Sequence, residues 1–190
     1  MAVATVEETR DFRRTPLGPR ARRLVRAARS GSFWFARHWL ALANGINLLV
    51  LAGSAAIPAM TAAGLYGLAS PLFASYRLVC HQLPYRSFFL FGYQMSMCER
   101  NVAIYAAMGL AGLAFGLSGR RWKALPWSWY LLLLLPIAVD GFTQLFGLRE
   151  SNWQLRLLTG GLFGVATVWL AYPYLDRYAS EILENEGQSR

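Results

Sequence analysis

The sequence predicts an all-α, polytopic membrane protein: four transmembrane helices, with an additional interfacial or re-entrant helix and loop on the outer side. Three observations carry this. Hydrophobic residues make up 55% of the 190 residues and charged residues only 15%, against about 25% charged in an ordinary soluble domain. Four separate stretches stay apolar for about 20 residues, the length of helix that crosses about 30 Å of hydrocarbon. The basic residues, 19 against 10 acidic for a net charge of +9, gather beside those stretches. Two cysteines exclude a disulfide-dense secreted scaffold, and the apolar content excludes a disordered chain.

Residues 1–38 read as an Arg-rich cytoplasmic tail and membrane-surface helix. Nine arginines lie between Arg10 and Arg37, and Lys123 is the one lysine. Pro16, Gly18 and Pro19 mark residues 1–19 as a loose tail. Over 20–35, arginines alternate with Leu24, Val25, Phe33, Trp34 and Phe35, which suits a helix lying on anionic headgroups. The expected partner of this head is therefore a lipid bilayer with anionic headgroups and no nucleic acid, because the charge runs straight into an apolar span.

The membrane domain is expected over 39–175, with spans at about 39–60, 101–118, 126–146 and 156–175 and an outer loop over 61–100. Segment 61–79 is apolar but broken by Gly64, Gly67 and Pro71, and charge decides how to count it. Arginine and lysine favour cytoplasmic loops. With four spans, the Arg-rich head and the cluster Arg120, Arg121 and Lys123 both lie inside; a fifth span over 61–79 would put that cluster outside. The expected placement is thus the cell's inner (plasma) membrane, multi-pass, with both termini cytoplasmic and 176–190 an acidic cytoplasmic tail. Gly112/Gly116 and Gly160/Gly164 are spaced for close helix packing. Asn44 and Asn47 share one face of the first span and read as interhelical glue.

Two stretches carry chemistry, and this topology puts both on one side. The first is 80–100, CHQLPYRSFFLFGYQMSMCER, which holds both cysteines and one of the two histidines. Cys80, His81 and Cys98 are three soft or borderline ligands for a transition metal. The 17 residues between the cysteines match no standard zinc spacing. The same cysteines can instead form a disulfide, or act as a reactive thiol whose pKa is lowered by Arg86, Arg100 and a charged His81. Arg86 and Arg100 can grip an anionic group by forked hydrogen bonds, with Gln82 and Ser87 beside them.

The second stretch is the end of the third span. Asp140 is the one acidic residue inside the four spans. An intramembrane carboxylate is costly and requires a partner. Gln144 lies one turn on, on the same helix face. Arg149 is the first candidate partner, with Arg156, Arg86 and Arg100 as alternatives. A partner from 80–100 would join the two stretches into one site; a partner from the following turn would mark a structural pair.

At these residues the chain resembles a family of small prokaryotic integral membrane proteins classed only as a domain of unknown function. The resemblance rests on Cys80-His81-Gln82, Arg86-Ser87-Phe88, Gly92, Cys98 with Arg100, and Tyr105. It continues through Asp140-Gly141, Gln144, Gly147, Arg149 to Ser151, Arg156 and Gly160, and covers roughly 60–170. It brings no established activity. Some members carry a further cysteine after the equivalent of Arg100, where this chain has Asn101, so a fourth metal ligand is missing here.

The expected function is a membrane redox or quinone-, lipid- or thiol-directed enzyme module. Cys80, His81, Cys98 and Asp140 would be its reactive groups. Gln82, Arg86, Ser87, Arg100, Gln144, Arg149 and Arg156 would bind substrate. Two other classes stay open: a transporter or metal-handling membrane protein, and a non-catalytic subunit working with a membrane-protein partner. There is no phosphate-binding loop, HExxH motif or serine-nucleophile elbow.

Overall fold

The structure is a computed structural model that describes residues 18–187. The loose tail expected over 1–19 lies, through residue 17, outside the described residues, as does the end of the acidic tail, 188–190. In order along the chain come α1 (Pro19–Ala62), α2 (Tyr66–Ser75), a 3-10 turn at Tyr76–Leu78 and a second at Pro84–Arg86. Then follow β1 (Ser87–Leu90), β2 (Tyr93–Cys98), α3 (Glu99–Leu117), α4 (Trp127–Leu145) and α5 (Trp153–Gly187). The described chain falls into two compact units: residues up to Arg37 together with those from Ala179, and His38–Tyr178. In the first, the arginine-rich stretch is helical but is no separate surface helix: it is the beginning of α1, which runs unbroken into the first span, and the Ser32 hydroxyl donates back to the Ala28 carbonyl at 3.0 Å. The second unit carries the membrane domain.

Four helices, α1, α3, α4 and α5, are long and apolar enough to cross a membrane. Helices α3 and α4 have 19 residues each, about 28 Å at 1.5 Å per residue, close to the hydrocarbon thickness. Segment 61–79 does not span. Its one helix, α2, has ten residues, or about 15 Å, and Pro71 lies inside it. The 3-10 turn that follows is tied back to α1, because the Tyr76 hydroxyl donates to the Val50 carbonyl at 2.8 Å.

The ends of the bundle are set by cross-links. Arg100 pairs with Asp140, and Arg156 with Glu99. Segment 62–98, the start of α3, the end of α4 and the start of α5 therefore meet at one end. At the other end Arg120 pairs with Asp176 at 3.1 Å, and the Trp169 indole donates to the Lys123 carbonyl at 3.1 Å. The two motif stretches thus lie together, opposite the basic cluster.

Helix α5 lies against α3 through glycines. A Cβ at Gly160 would stand 2.6 Å from the Arg100 carbonyl oxygen, and one at Gly164 would stand 2.6 Å from that of Ile104. Only glycine allows this approach. Further along, Asn47 donates to the Tyr172 hydroxyl at 3.4 Å, and that hydroxyl donates to Asn44 Oδ1 at 3.4 Å. Asn44 and Asn47 are interhelical glue.

Residues 87–98, expected as plain loop within an all-α fold, form an antiparallel β-hairpin. Ser87 pairs with Cys98, Phe89 with Gln94 and Leu90 with Tyr93, with a bulge between the first two pairs. The turn is Phe91-Gly92, with φ of 55° and 79°, the two left-handed residues of a two-residue hairpin loop. Gly92 adopts this freely; Phe91 does so at some cost. On β2, Met95, Ser96 and Met97 are all buried in succession. The alternation that advertises a strand is therefore absent.

Candidate functional site

The hairpin returns Cys98 to Cys80. Three side chains hold it there. Gln82, buried and left-handed at φ 54°, donates from Nε2 to the Phe73 carbonyl at 2.6 Å and to the Ser96 carbonyl at 3.3 Å. Gln94 donates to the Gln82 carbonyl at 2.8 Å and to the Ser87 hydroxyl at 3.1 Å. Ser87 in turn donates to the Leu83 carbonyl at 3.0 Å. These bonds satisfy buried backbone groups that irregular chain would leave bare.

The two cysteines are free thiols in contact. The Cys98 backbone N–H donates to Cys80 Sγ at 3.1 Å. The Cys98 thiol also donates to Cys80, which is the main reason the Cys80 thiol is held down at about 5. Burial of Cys80 opposes this, while the backbone N–H groups of Gln82 and Cys98 and the charge of His81 assist it. Cys98 is pushed well above the ordinary thiol range, first because its proton is held in that bond and then by burial. Of the two sulfurs, Cys80 is thus the one shifted toward the thiolate and Cys98 the one shifted toward the thiol. His81 is exposed beside them. Among the described residues, no three His, Cys, Asp or Glu side chains group to hold a metal ion.

The residues that follow Cys98 lock into the spans. Glu99, 9% exposed at the start of α3, accepts from Arg156 Nη1 at 2.9 Å. Arg100 Nη2 donates to Asp140 Oδ2. Arg149 Nη2 donates to Asp140 Oδ1 at 2.9 Å, and Gln144 Nε2 donates to Oδ2 at 3.3 Å. Asp140, 1% exposed, therefore takes a partner from the Cys-His stretch and another from its own following turn. The two stretches form one constellation.

A cavity of about 450 Å³ opens at this end. Cys80, His81, Gln82, Arg86, Cys98, Arg100, Gln144 and Arg156 line it. Ser87 is not on its wall and serves the hairpin. Asp140 and Arg149 lie behind Arg100, on a separate, mostly apolar groove with Leu132, Pro136 and Thr159. Arg156 reaches the cavity but takes Glu99, not Asp140, as its partner. Glu99 is the site residue that sequence reasoning missed. The available signal was its position between Cys98 and Arg100, within one helical turn of a span start. Asn101, on the cavity wall, donates to the Val79 carbonyl at 2.8 Å, bracing the chain just before Cys80.

Comparison with known proteins matches the family described as "Predicted membrane protein (DUF2085)" over residues 80–170. An uncharacterized protein of Methanocaldococcus jannaschii is 45% identical over 105 residues, covering 54% of this chain and 67% of that relative. An uncharacterized protein of Methanothermobacter thermautotrophicus is 39% identical over 85 residues, covering 45% of this chain and 77% of that relative. No solved structure matches the chain. The matched region starts at Cys80 and takes in the hairpin, the ion pairs and the glycines of α5.

Proposed function

Because the chain belongs to the family of predicted membrane proteins (DUF2085), we propose that it is a membrane-embedded dithiol–disulfide redox module. The observation that carries this is the adjacency of the two free thiols: the hairpin returns Cys98 to Cys80, and the Cys98 N–H donates to Cys80 Sγ at 3.1 Å. In this reading the Cys80 thiolate attacks one sulfur of a substrate disulfide. An S–S bond forms to Cys80, and the first substrate thiolate leaves. Cys98 gives its proton to that thiolate and attacks the Cys80 sulfur. The Cys80–Cys98 disulfide forms, and the second substrate thiolate leaves. Two electrons pass to the substrate disulfide. A hydroquinone or a pair of substrate thiols, as a two-electron, two-proton donor, restores the dithiol.

The basic clusters at Arg20–Arg37 and Arg120–Lys123 support an orientation with both termini cytoplasmic in the inner membrane. The cavity then opens on the outer face, where disulfide chemistry is permitted. In the same orientation the helical arginines before His38, which continue α1 beyond the first span, lie on the cytoplasmic side, where anionic headgroups attract the ones near the surface.

Redox titration of the full chain in lipid nanodiscs, with alkylation of remaining thiols, tests this. Both cysteines should pass together between free and bridged states. Cys98→Ser should accumulate a mixed disulfide at Cys80, because nothing resolves it. A Cys80 that stays unalkylated by iodoacetamide at pH 6 to 7, or a pair that never bridges, overturns the reading. A stoichiometric metal removed by chelator would replace it with a metal-handling role.

A further inference from the structure

The cavity beside the cysteines is lined by three guanidiniums, those of Arg86, Arg100 and Arg156, and by no carboxylate. Arg100 and Arg149 share the single carboxylate of Asp140. Arg156 is matched by Glu99. The Arg86 side chain forms no ion pair or hydrogen bond among the described residues; its guanidinium stacks over the Tyr85 ring, 5.1 Å from the centroid. Of the three lining guanidiniums, one has a carboxylate to itself, one shares a carboxylate with Arg149, and one has none.

The hydrogen-bond pattern points the same way. The Nε–H groups of Arg86, Arg100 and Arg156 are all buried without an acceptor, and all three side chains line the cavity. Arg156 is itself only 4% exposed. Buried donors in native proteins are nearly always paired, and a buried cation without a counter-charge is costly. Nε with the adjacent Nη is the edge by which arginine forks onto a carboxylate or phosphate. A cavity of about 450 Å³ has the size of small-molecule sites.

We propose that this cavity is an oxyanion-binding pocket, in which Arg86, Arg156 and Arg100 hold a carboxylate or phosphate group next to Cys80. The group belongs either to a small anionic thiol or disulfide or to a lipid headgroup, since both present the same chemistry. The inference names the substrate class of the redox site and rests on that reading for what happens after binding, but not for binding itself.

Inorganic phosphate binding to the full chain in phosphatidylcholine nanodiscs, followed by calorimetry, is the test. One phosphate should bind per chain. Arg86→Gln should weaken it at least tenfold and Arg86→Lys by less, while Arg121→Gln, at the far end of the bundle, should bind like the parent. The Arg86 side chain makes no ion pair or hydrogen bond, so Arg86→Gln takes only its stacking on Tyr85 from the fold. Replacing part of the lipid with phosphatidylglycerol sorts the source: displacement of phosphate identifies a headgroup site, and unchanged binding a site for soluble anions. No saturable binding, or equal binding by Arg86→Gln, overturns the proposal. Iodoacetamide labelling of Cys80 at pH 6 on the same samples separates the two readings. Phosphate binding without labelling keeps the pocket and removes the dithiol reading; labelling without phosphate binding does the reverse.

Discussion

The two ends of the helical bundle solve the problem of buried polarity in opposite ways. At the end near Lys123 the buried polar groups are few and neutral. Asn44 and Asn47 meet on the Tyr172 hydroxyl, among the tilted and edge-on rings of Trp39, Phe115 and Tyr172. The ion pair there, Arg120–Asp176, is partly exposed. At the opposite end two buried carboxylates and three cavity-lining guanidiniums sit around Cys80, and several donors remain unpaired. The first end is built for packing alone. The second carries ionic and unsatisfied groups that packing does not require, and it is on such surplus polarity inside a membrane protein that our functional proposal rests. Trp39 Nε1 is the orphan at the packing end, a weak neutral donor rather than a charge.

The hardest break to this contrast is Asp140→Ala. It leaves Arg100 and Arg149 without their shared carboxylate, and removing one side of a buried pair costs about 3–5 kcal/mol. Unfolding in mixed detergent micelles should show a loss of that size. A loss under about 1 kcal/mol would show that Asp140 is no more than a surface-like contact and would level the two ends. Asp140→Asn keeps the shape and an acceptor and should lose less.

Next comes Gly160→Ala, which tests how firmly the site end is held together. The added methyl would meet the Arg100 carbonyl oxygen and Ala103 Cβ, which are backbone and a short side chain that cannot turn away. Overpacking of this kind costs about 1–3 kcal/mol. It should also shift α3 at Arg100 and so lower phosphate binding, a readout that a purely stabilising glycine would leave alone.

What could be read from residues alone follows the range of each force. The four spans were legible because length and apolarity are local properties. Asp140 was legible because a single acid in a span stands out, and its two partners were both among the arginines named for it. The hairpin was hidden, because Met95, Ser96 and Met97 are buried in a row and Phe91-Gly92 lacks the usual Asn-Gly signal. Glu99 was hidden because an acid at a span's edge looks solvated until Arg156 arrives from α5. For Gln82 and Ser87 the sequence suggests substrate contacts. The structure gives their hydrogen bonds to backbone and hairpin groups up to 14 residues away, pairings that only the folded chain defines, although Gln82 also reaches the cavity wall.

Smaller in energy, but specific to the sulfurs, is Cys98→Ala. The leading cause of the lowered Cys80 pKa is the bond from the Cys98 thiol. Without it, burial raises the Cys80 pKa against weaker help from the backbone N–H groups. The thiolate fraction at pH 6, nearly complete in the parent with a pKa of about 5, should fall. Iodoacetamide labelling of Cys80 at pH 6 should slow about tenfold, or about 1.4 kcal/mol, and should recover as the pH rises toward the ordinary thiol range. A labelling profile unchanged from the parent would separate the two sulfurs and remove the asymmetry on which the redox reading stands.

The smallest effect is expected at the packing end, from Asn47→Leu. The change removes one long hydrogen bond, 3.4 Å from Asn47 Nδ2 to the Tyr172 hydroxyl. Tyr172 keeps its other bond, donated to Asn44 Oδ1, so no buried group is left wholly unpaired. Interhelical hydrogen bonds in membrane proteins are worth about 0.6 kcal/mol on average, and leucine adds apolar contact that offsets part of even this. Unfolding should therefore shift by less than about 1 kcal/mol, and both phosphate binding and Cys80 labelling should match the parent. A change in either of those would mean that the Asn44–Tyr172–Asn47 contact reaches the cavity through α5, and the bundle would then have to be read as one coupled unit rather than a packing end and a chemical end.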